Sequence, residues 1–268
     1  MQKKKREEIL SHLSRYKQYE LGVYDCGPWW KNSKEYPHIL PLHRFDANII
    51  NKGFQGELLE LVSLKDRHLG IHHLNSSQAL AINLFGPFVV TGMLSVLSRS
   101  FGEVFGRGSC QFEHIEEETE GTNFDFFIQT RSQKFFFEVK YTEDRFGNAK
   151  DDEHHNRKYD QIYKVKLGQI CGISKEEFFK DYQLWRNILY ADRGIVIFVI
   201  PVFRDDLEKK IENTKRKINR PERVRIAFVE DICEIALNSG NERFADHFIE
   251  FRKKYLVTNY KKGTDLFS

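Results

Sequence analysis

Two carboxylates and a lysine, Asp125, Glu138 and Lys140, stand in two short runs of strand-forming residues, Thr122 to Ile128 and Phe135 to Glu143. Side chains alternate along a strand, so Phe136, Glu138, Lys140 and Thr142 share one face and Phe135, Phe137, Val139 and Tyr141 the other. In the preceding run Phe124, Phe126 and Ile128 share a face, which leaves Asp125 on the opposite one beside Phe127 and Gln129. A turn centred between Arg131 and Ser132 sets Asp125 directly across from Glu138. Like charges directly opposed destabilise a sheet, and a divalent cation between them removes the conflict. Mg²⁺ takes one or two protein carboxylates and completes its shell with water and substrate phosphate. Lys140 is placed to orient an attacking water or to neutralise charge at a phosphate. Together these parts make a site for phosphodiester hydrolysis.

The competing reading is plainer. An acid, twelve residues, then Glu-x-Lys is a loose pattern, and such a pair on the wet face of an antiparallel strand contributes at most about 1 kcal/mol. Context favours chemistry: three consecutive strands, aromatic residues on both faces of the third, and helices before and after. Phe136 beside Glu138 predicts that this face is at least partly covered.

The elements that must hold the three residues follow from periodicity. Residues 1–20 read as a charged helix with Ile9, Leu10 and Leu13 on one side, and Leu21 to Pro41 as an ordered loop or small cap. Further helices are expected over Phe54 to Leu64, over Asn75 to Phe85 with capping residues at its start and Gly86-Pro87 at its end, and over Val89 to Phe101. Strands are expected at Cys110 to Glu116, Asn123 to Gln129, Lys134 to Thr142, Gly194 to Val202 and Val224 to Val229. Helical stretches are expected at Tyr159 to Ile170, Lys175 to Tyr190 and Asp205 to Ile218, with a mobile polar loop from Asn148 to Lys158. The order α, βββ, α, β, α, β specifies an α/β fold, a mixed sheet flanked by helices.

At this point the segment resembles the PD-(D/E)xK nucleases of the restriction-endonuclease-like superfamily, with Asp125 as the motif aspartate and Glu138-Val139-Lys140 as its (D/E)xK. Phe124 stands where the motif often has proline. The stretches Asn75-Ser-Ser-Gln-Ala79, Asn83-Leu-Phe85 and Glu138 to Gly147 are similar to a bacterial branch of restriction endonucleases. The resemblance covers about residues 70–230. It implies a restriction-endonuclease-like αβββαβ core at 71–230, an N-terminal helical elaboration at 1–70 and a C-terminal helical segment at 231–268, all in a single nuclease domain. It also implies Mg²⁺, for which Mn²⁺ can substitute, held by Asp125, Glu138 and the Val139 backbone carbonyl, and a nucleic-acid substrate, most often DNA.

Superfamily members often add another acid, and here Glu57, Glu103 and Glu113 compete. A short turn near Glu120-Gly121 would bring Glu113 to the Asp125 side, although a solvent-facing glutamate is an equal reading. Gln78, Ser76 and Ser77 lie at a helix start, where backbone N–H groups favour phosphate and where N-caps are also found. Gln183, Arg186 and Asn187 share a helix side and are candidates for substrate contact, against an exposed polar stripe. Glu143, Phe146 and Gly147 either shape the site mouth or end the strand. The adjacent pairs His72-His73 and His154-His155 lack metal-binding spacing.

Composition sets the outer limits. The 268 residues are 40% hydrophobic, 14% aromatic and 30% charged, which supports a substantial core under a wet surface. A net charge of +3 does not by itself indicate a polyanionic partner. The cations at Lys3 to Arg6, Lys209-Lys210, Lys215 to Lys217, Arg220, Arg223 and Arg225 could track a duplex, although Glu208 and Glu212 make ion pairing the commoner meaning for the middle group. Cys26, Cys110, Cys171 and Cys233 form no metal or disulfide framework, and no apolar run approaches the ~20 residues of a membrane span. A cytoplasmic protein with no membrane association is expected. No phosphate-binding glycine loop, nucleophile elbow or dinucleotide fingerprint is present. The expected function is metal-dependent DNA cleavage in restriction or defence. A repair or processing nuclease and a non-catalytic nucleic-acid-binding module are the alternatives, and one site per chain favours a homodimer for double-strand cutting.

Overall fold

The computed structural model describes residues 1, 3–54, 56–101, 105 and 109–256. Helix α1 (Lys3–Tyr19) buries Ile9, Leu13 and Tyr16, which recur every three or four residues along one face. A small hairpin, β1 (Gly27–Pro28) and β2 (Glu35–Tyr36), follows within the stretch read as a cap. Next come α2 (Ser77–Val90), the single turn α3 (Ser98–Phe101), and the meander β3 (Ser109–Ile115), β4 (Asn123–Gln129) and β5 (Lys134–Val139). Helices α4 (Glu153–Lys158), α5 (Lys164–Ile170), α6 (Lys175–Lys180) and α7 (Tyr182–Ile188) lead to β6 (Ile195–Ile200). Helix α8 (Asp205–Lys215), β7 (Val224–Phe228), α9 (Val229–Leu237) and α10 (Glu242–Tyr255) complete the described chain.

The main sheet has the order β3-β4-β5-β6-β7. Its first three strands pair antiparallel and the last two pairings are parallel, so the sheet is mixed and helix-flanked as expected. Strand β6, Ile-Val-Ile-Phe-Val-Ile, is buried throughout, which a strand covered on both faces requires. One face packs Phe126, Ile128, Phe137, Val139 and Ile197 against α2, α9 and α10. Phe85 of α2 stacks on Phe126 with ring centroids 4.6 Å apart. The other face packs Phe127, Phe136 and Phe198 under the α4–α7 layer through Tyr163, Leu184 and Trp185.

Several boundaries move for identifiable reasons. Helix α2 continues through Gly86 and Pro87, where a stop was expected. A Cβ on Gly86 would lie 2.9 Å from Leu58, so glycine permits close packing there. Pro87 cannot donate to the carbonyl four residues earlier, and His247 of α10 supplies that donor to the Asn83 carbonyl at 2.7 Å. The residues expected to form a helix from Phe54 to Leu64 instead form separate 3-10 turns at Leu59–Leu61 and Leu64–Asp66. Val89 to Phe101 is likewise divided, with a 3-10 turn at Leu94–Leu97 before α3. The polar stretch read as a mobile loop ends in α4, whose N-cap is the Asp152 carboxylate accepting from the His155 N–H. Among the described residues no helix is long and apolar enough to cross a membrane, and all four cysteines are free thiols.

Candidate active site

The hairpin register is the one that the Arg131-Ser132 turn predicts, running from Gln129↔Lys134 to Phe126↔Phe137. Regular pairing lapses one step further on, at Asp125. On its other side the β3–β4 ladder pairs Phe112 with Phe126 and His114 with Phe124, skipping Glu113 and Asp125. Glu113 has φ +52°, a left-handed backbone that costs a non-glycine residue roughly 1–3 kcal/mol unless its surroundings hold it there. Alternation breaks at the same place. Phe124, expected beside Phe126, turns instead to the second core against Phe136 and Tyr190.

The break exposes backbone groups that the Asp125 side chain then takes up. Its Oδ2 accepts the Val139 N–H at 2.7 Å. On the opposite edge of β5 the Lys140 N–H donates to the Val199 carbonyl at 2.9 Å, so β5 stays anchored to β6. Because a residue's N–H and C=O leave a strand on the same edge, the Val139 carbonyl faces the β4 side with its N–H.

The three motif residues are buried. Asp125, Glu138 and Lys140 are 9%, 2% and 6% exposed, so the solvated surface pair is excluded. Lys140 Nζ lies 2.7 Å from Glu138 Oε1. Gln183 of α7 donates from Nε2 to the same oxygen at 2.7 Å. Gly147 runs beside Gln183, where a Cβ on it would lie 3.8 Å from that side chain, in a left-handed conformation. Burial and the negative charges of Glu138 and Glu113 hold the Asp125 carboxyl well above the usual carboxylate range, outweighing Lys140 and the Val139 N–H. Burial alone would lower the Lys140 pKa, but Glu138, Glu143 and Asp125 reverse this and hold its ammonium form above the ordinary range. The cluster is therefore short of positive charge while its single lysine is fully ionised.

Glu113 is held by three donors. Gln78 Nε2 reaches one oxygen at 2.8 Å, while His68 and Asn123 reach the other at 3.1 and 2.5 Å. The Gln78 amide is buried and fully used, since its oxygen accepts the His68 N–H at 2.8 Å and its nitrogen also donates to the Asp66 carbonyl at 2.9 Å. The Gln78 amide is thus committed to Glu113, Asp66 and His68 in this arrangement. Ser76 is the N-cap of α2, accepting from Ala79. Arg186 points away from Glu138 and donates to Thr122 at 3.0 Å and Glu120 at 3.3 Å. Asn187 is buried with neither amide atom hydrogen-bonded. Glu57 pairs with Arg243 at the surface, and Glu103 lies outside the described residues.

His68 and Asn123 carry no signal in the sequence, because each belongs to the site only through its contact with Glu113. The hydrogen bond to Glu113 raises the His68 pKa, against burial and the charge of Lys140. Asn75 donates to Thr142 Oγ1 at 2.8 Å, which ties the segment before α2 to the segment after β5.

A mixed sheet with a charged pair on its third meander strand and an acid on the second defines the class: a restriction-endonuclease-like α/β protein. A family model described as "Restriction Endonuclease associating with ARP" matches residues 10–256, and the chain belongs to that family. A nuclease role follows from membership. No curated protein and no solved structure matches the chain significantly.

Proposed function

We propose that the chain is a metal-dependent endonuclease that hydrolyses DNA phosphodiester bonds in restriction or defence against foreign DNA, with Asp125, Glu138 and Lys140 as its catalytic residues. The observation that carries this reading is the buried carboxylate pair of Asp125 and Glu138, under-compensated by the one lysine beside it. Oxygen donors of this kind suit a hard divalent cation such as Mg²⁺ or Mn²⁺. Among the described residues no three His, Cys, Asp or Glu side chains are grouped closely enough to hold a metal. The proposed donor set is Asp125, Glu138 and the Val139 carbonyl, with Glu113 as a neighbouring charge, and Mg²⁺ would draw its remaining ligands from water and substrate phosphate. When bound, the ion would supply Lewis-acid stabilisation of phosphate charge and a more acidic water.

The protein's own contributions are positional and electrostatic. Gln183 fixes the Glu138 carboxylate, and Glu138 in turn fixes the Lys140 ammonium. A lysine locked in its charged form in a dry site stabilises developing phosphate charge without reorganising. Val139 and Lys140 are held between β4 and β6, so the site stands on the central strand of the sheet. Cutting both strands with one such site per chain calls for a homodimer or for sequential nicking.

The deciding measurement is cleavage of plasmid and linear DNA with and without Mg²⁺ or Mn²⁺, by the wild type and by Lys140→Ala and Glu138→Ala. Cutting only with metal, lost in both variants while the circular dichroism stays unchanged, supports the proposal; unaltered cutting by both variants sinks it.

A further inference from the structure

Beside the carboxylates lie two adjoining cavities of about 430 and 200 Å³ that share Arg6, His73 and Asn75 as walls. The larger is also lined by His68, Thr142 and Glu143, and so opens on the site edge where His68 holds Glu113. The smaller is lined by Trp29, Tyr36 and His38 of the β1–β2 hairpin region. Trp29 meets Tyr36 edge-on at 6.0 Å and Tyr36 meets His38 at 5.8 Å, while Trp30 in the larger cavity is 49% exposed. Lys31 lies 5.0 Å over the Trp30 ring and Lys34 5.5 Å over Tyr36. A wall of rings fringed by cations is the arrangement by which proteins hold nucleic-acid strands with stacked bases.

Two buried atoms give the cavities a hydrogen-bonding demand. His73 is 9% exposed and its Nε2 has no partner; the Asn75 Oδ1 is likewise buried and unpartnered, although the same amide donates to Thr142. Buried polar atoms are usually satisfied, so these two keep hydrogen-bonding capacity for a guest toward which their side chains turn. Burial, with His72 and His38 nearby, lowers the His73 pKa to about 4, so its ring is neutral near pH 7 and suited to recognising an uncharged group. Gly70 lets Trp30 and His73 close in, because a Cβ there would sit 3.3 Å from Trp30 and 3.6 Å from His73. The cations at the rim disfavour a positively charged guest such as a methylated lysine, which aromatic walls alone would accept.

We propose that the larger of these cavities binds an unpaired nucleobase of the substrate strand, stacked on Trp30 with His73 and Asn75 at its edge, next to the bond to be cut. The proposal rests on the nuclease reading for what lies beside the pocket, but binding itself needs no metal. The base can come from a single strand or be turned out of a duplex at a weak pair, where extrusion costs least.

The test is tryptophan fluorescence of the full chain in EDTA. Trp185 is fully buried, leaving Trp29 and Trp30 as the reporters. A single-stranded DNA tetramer is expected to quench the signal, whereas a tetramer of sugar and phosphate without bases is not. Trp30→Ala is expected to weaken the tetramer roughly tenfold, within the range for loss of one base–aromatic stack. His73→Phe is expected to retain quenching but level the affinities for the four homotetramers. Binding of a mismatched duplex as well as the single strand, each weakened by Trp30→Ala, assigns the base to either source; binding of the single strand alone assigns it to that one. Equal quenching by the base-free tetramer, or affinity unaffected by Trp30→Ala, overturns the pocket. If metal-dependent cutting survives such a result, the nuclease reading stands without it. If Trp30-dependent binding occurs without cutting in Mg²⁺ or Mn²⁺, the pocket stands and the nuclease reading falls.

Discussion

Two buried polar clusters adjoin strand β4, and they are built on opposite principles. In the turn before β4, Glu120 is 1% exposed and accepts from Thr122, Tyr163, Tyr190 and Arg186, with Arg186 at 3.3 Å. Two residues into the strand, Asp125 shares its surroundings with Glu138 and Glu113 against a single close lysine, Lys140. The first cluster is a closed network in which one carboxylate meets hydroxyls and a guanidinium. The second is left open, with more anion than the chain itself neutralises. A buried network that is fully satisfied serves the fold, whereas one that keeps charge uncompensated is arranged for something the chain does not supply.

Breaking each cluster should therefore have opposite consequences. The largest effect is expected for Lys140→Ala or Asp125→Asn, which should reduce metal-dependent cleavage about a hundred- to a thousand-fold or more. Asp125→Asn should at the same time preserve or raise the melting temperature of the metal-free protein, because it removes like-charge repulsion and keeps an acceptor for the Val139 N–H. Parallel cleavage assays and thermal melts check this. Glu120→Ala should do the reverse. It leaves the half-buried Arg186 without its carboxylate and the Thr122, Tyr163 and Tyr190 hydroxyls without their acceptor, at about 3 kcal/mol of stability, while the activity of the folded fraction stays near wild type; urea titration alongside active-site titration would show it. A Glu120→Ala protein as stable as wild type would collapse the distinction.

Two smaller effects sharpen it. Gln183→Ala frees Glu138 from α7 and should lower kcat about tenfold with KM little changed, since Gln183 donates to Glu138 and not to a phosphate in this arrangement. An equal loss in KM would instead put Gln183 on the substrate. The pH dependence is the mildest test. The folded Asp125 pKa is raised, so between the ordinary aspartate value and that raised value the folded metal-free protein binds more protons than the unfolded chain, and stability falls as pH rises through this window. Divalent metal requires the deprotonated form, so its affinity should grow over the same interval with release of a proton. Calorimetry of Mg²⁺ binding across a pH series measures both. Affinity that is flat with pH, or that stays pH-dependent in Asp125→Asn, contradicts the assignment.

Facing and register were legible together in the sequence because both rest on the two-residue period of a strand. Phe136, Glu138 and Lys140 had to share a face, and the short Arg131-Ser132 turn had to bring Asp125 near Glu138. The mixed, helix-flanked sheet followed from the alternation of elements, while its strand order came from the structure. The misread segments are those where a distant partner overrides local preference. Pro87 reads as a helix stop until His247 is seen to supply the missing donor to Asn83. Phe124 reads as a neighbour of Phe126 until the irregular backbone at Glu113 and Asp125 breaks the alternation.

The surroundings of the Asp125–Glu138 pair belong to tertiary structure alone. Of the three polar residues sharing one side of α7, Gln183 meets Glu138, Arg186 closes the Glu120 network and Asn187 is buried unpaired. Helical spacing makes the three equivalent, and only the packing of α7 on the sheet separates them. Likewise His68, Asn75 and His73 come to the site because the N-terminal segment wraps the start of α2 and the end of β5. Local periodicity determined which side chains face together along β5; long-range packing decided which of them stay dry, which are neutralised and which are left with unmet charge.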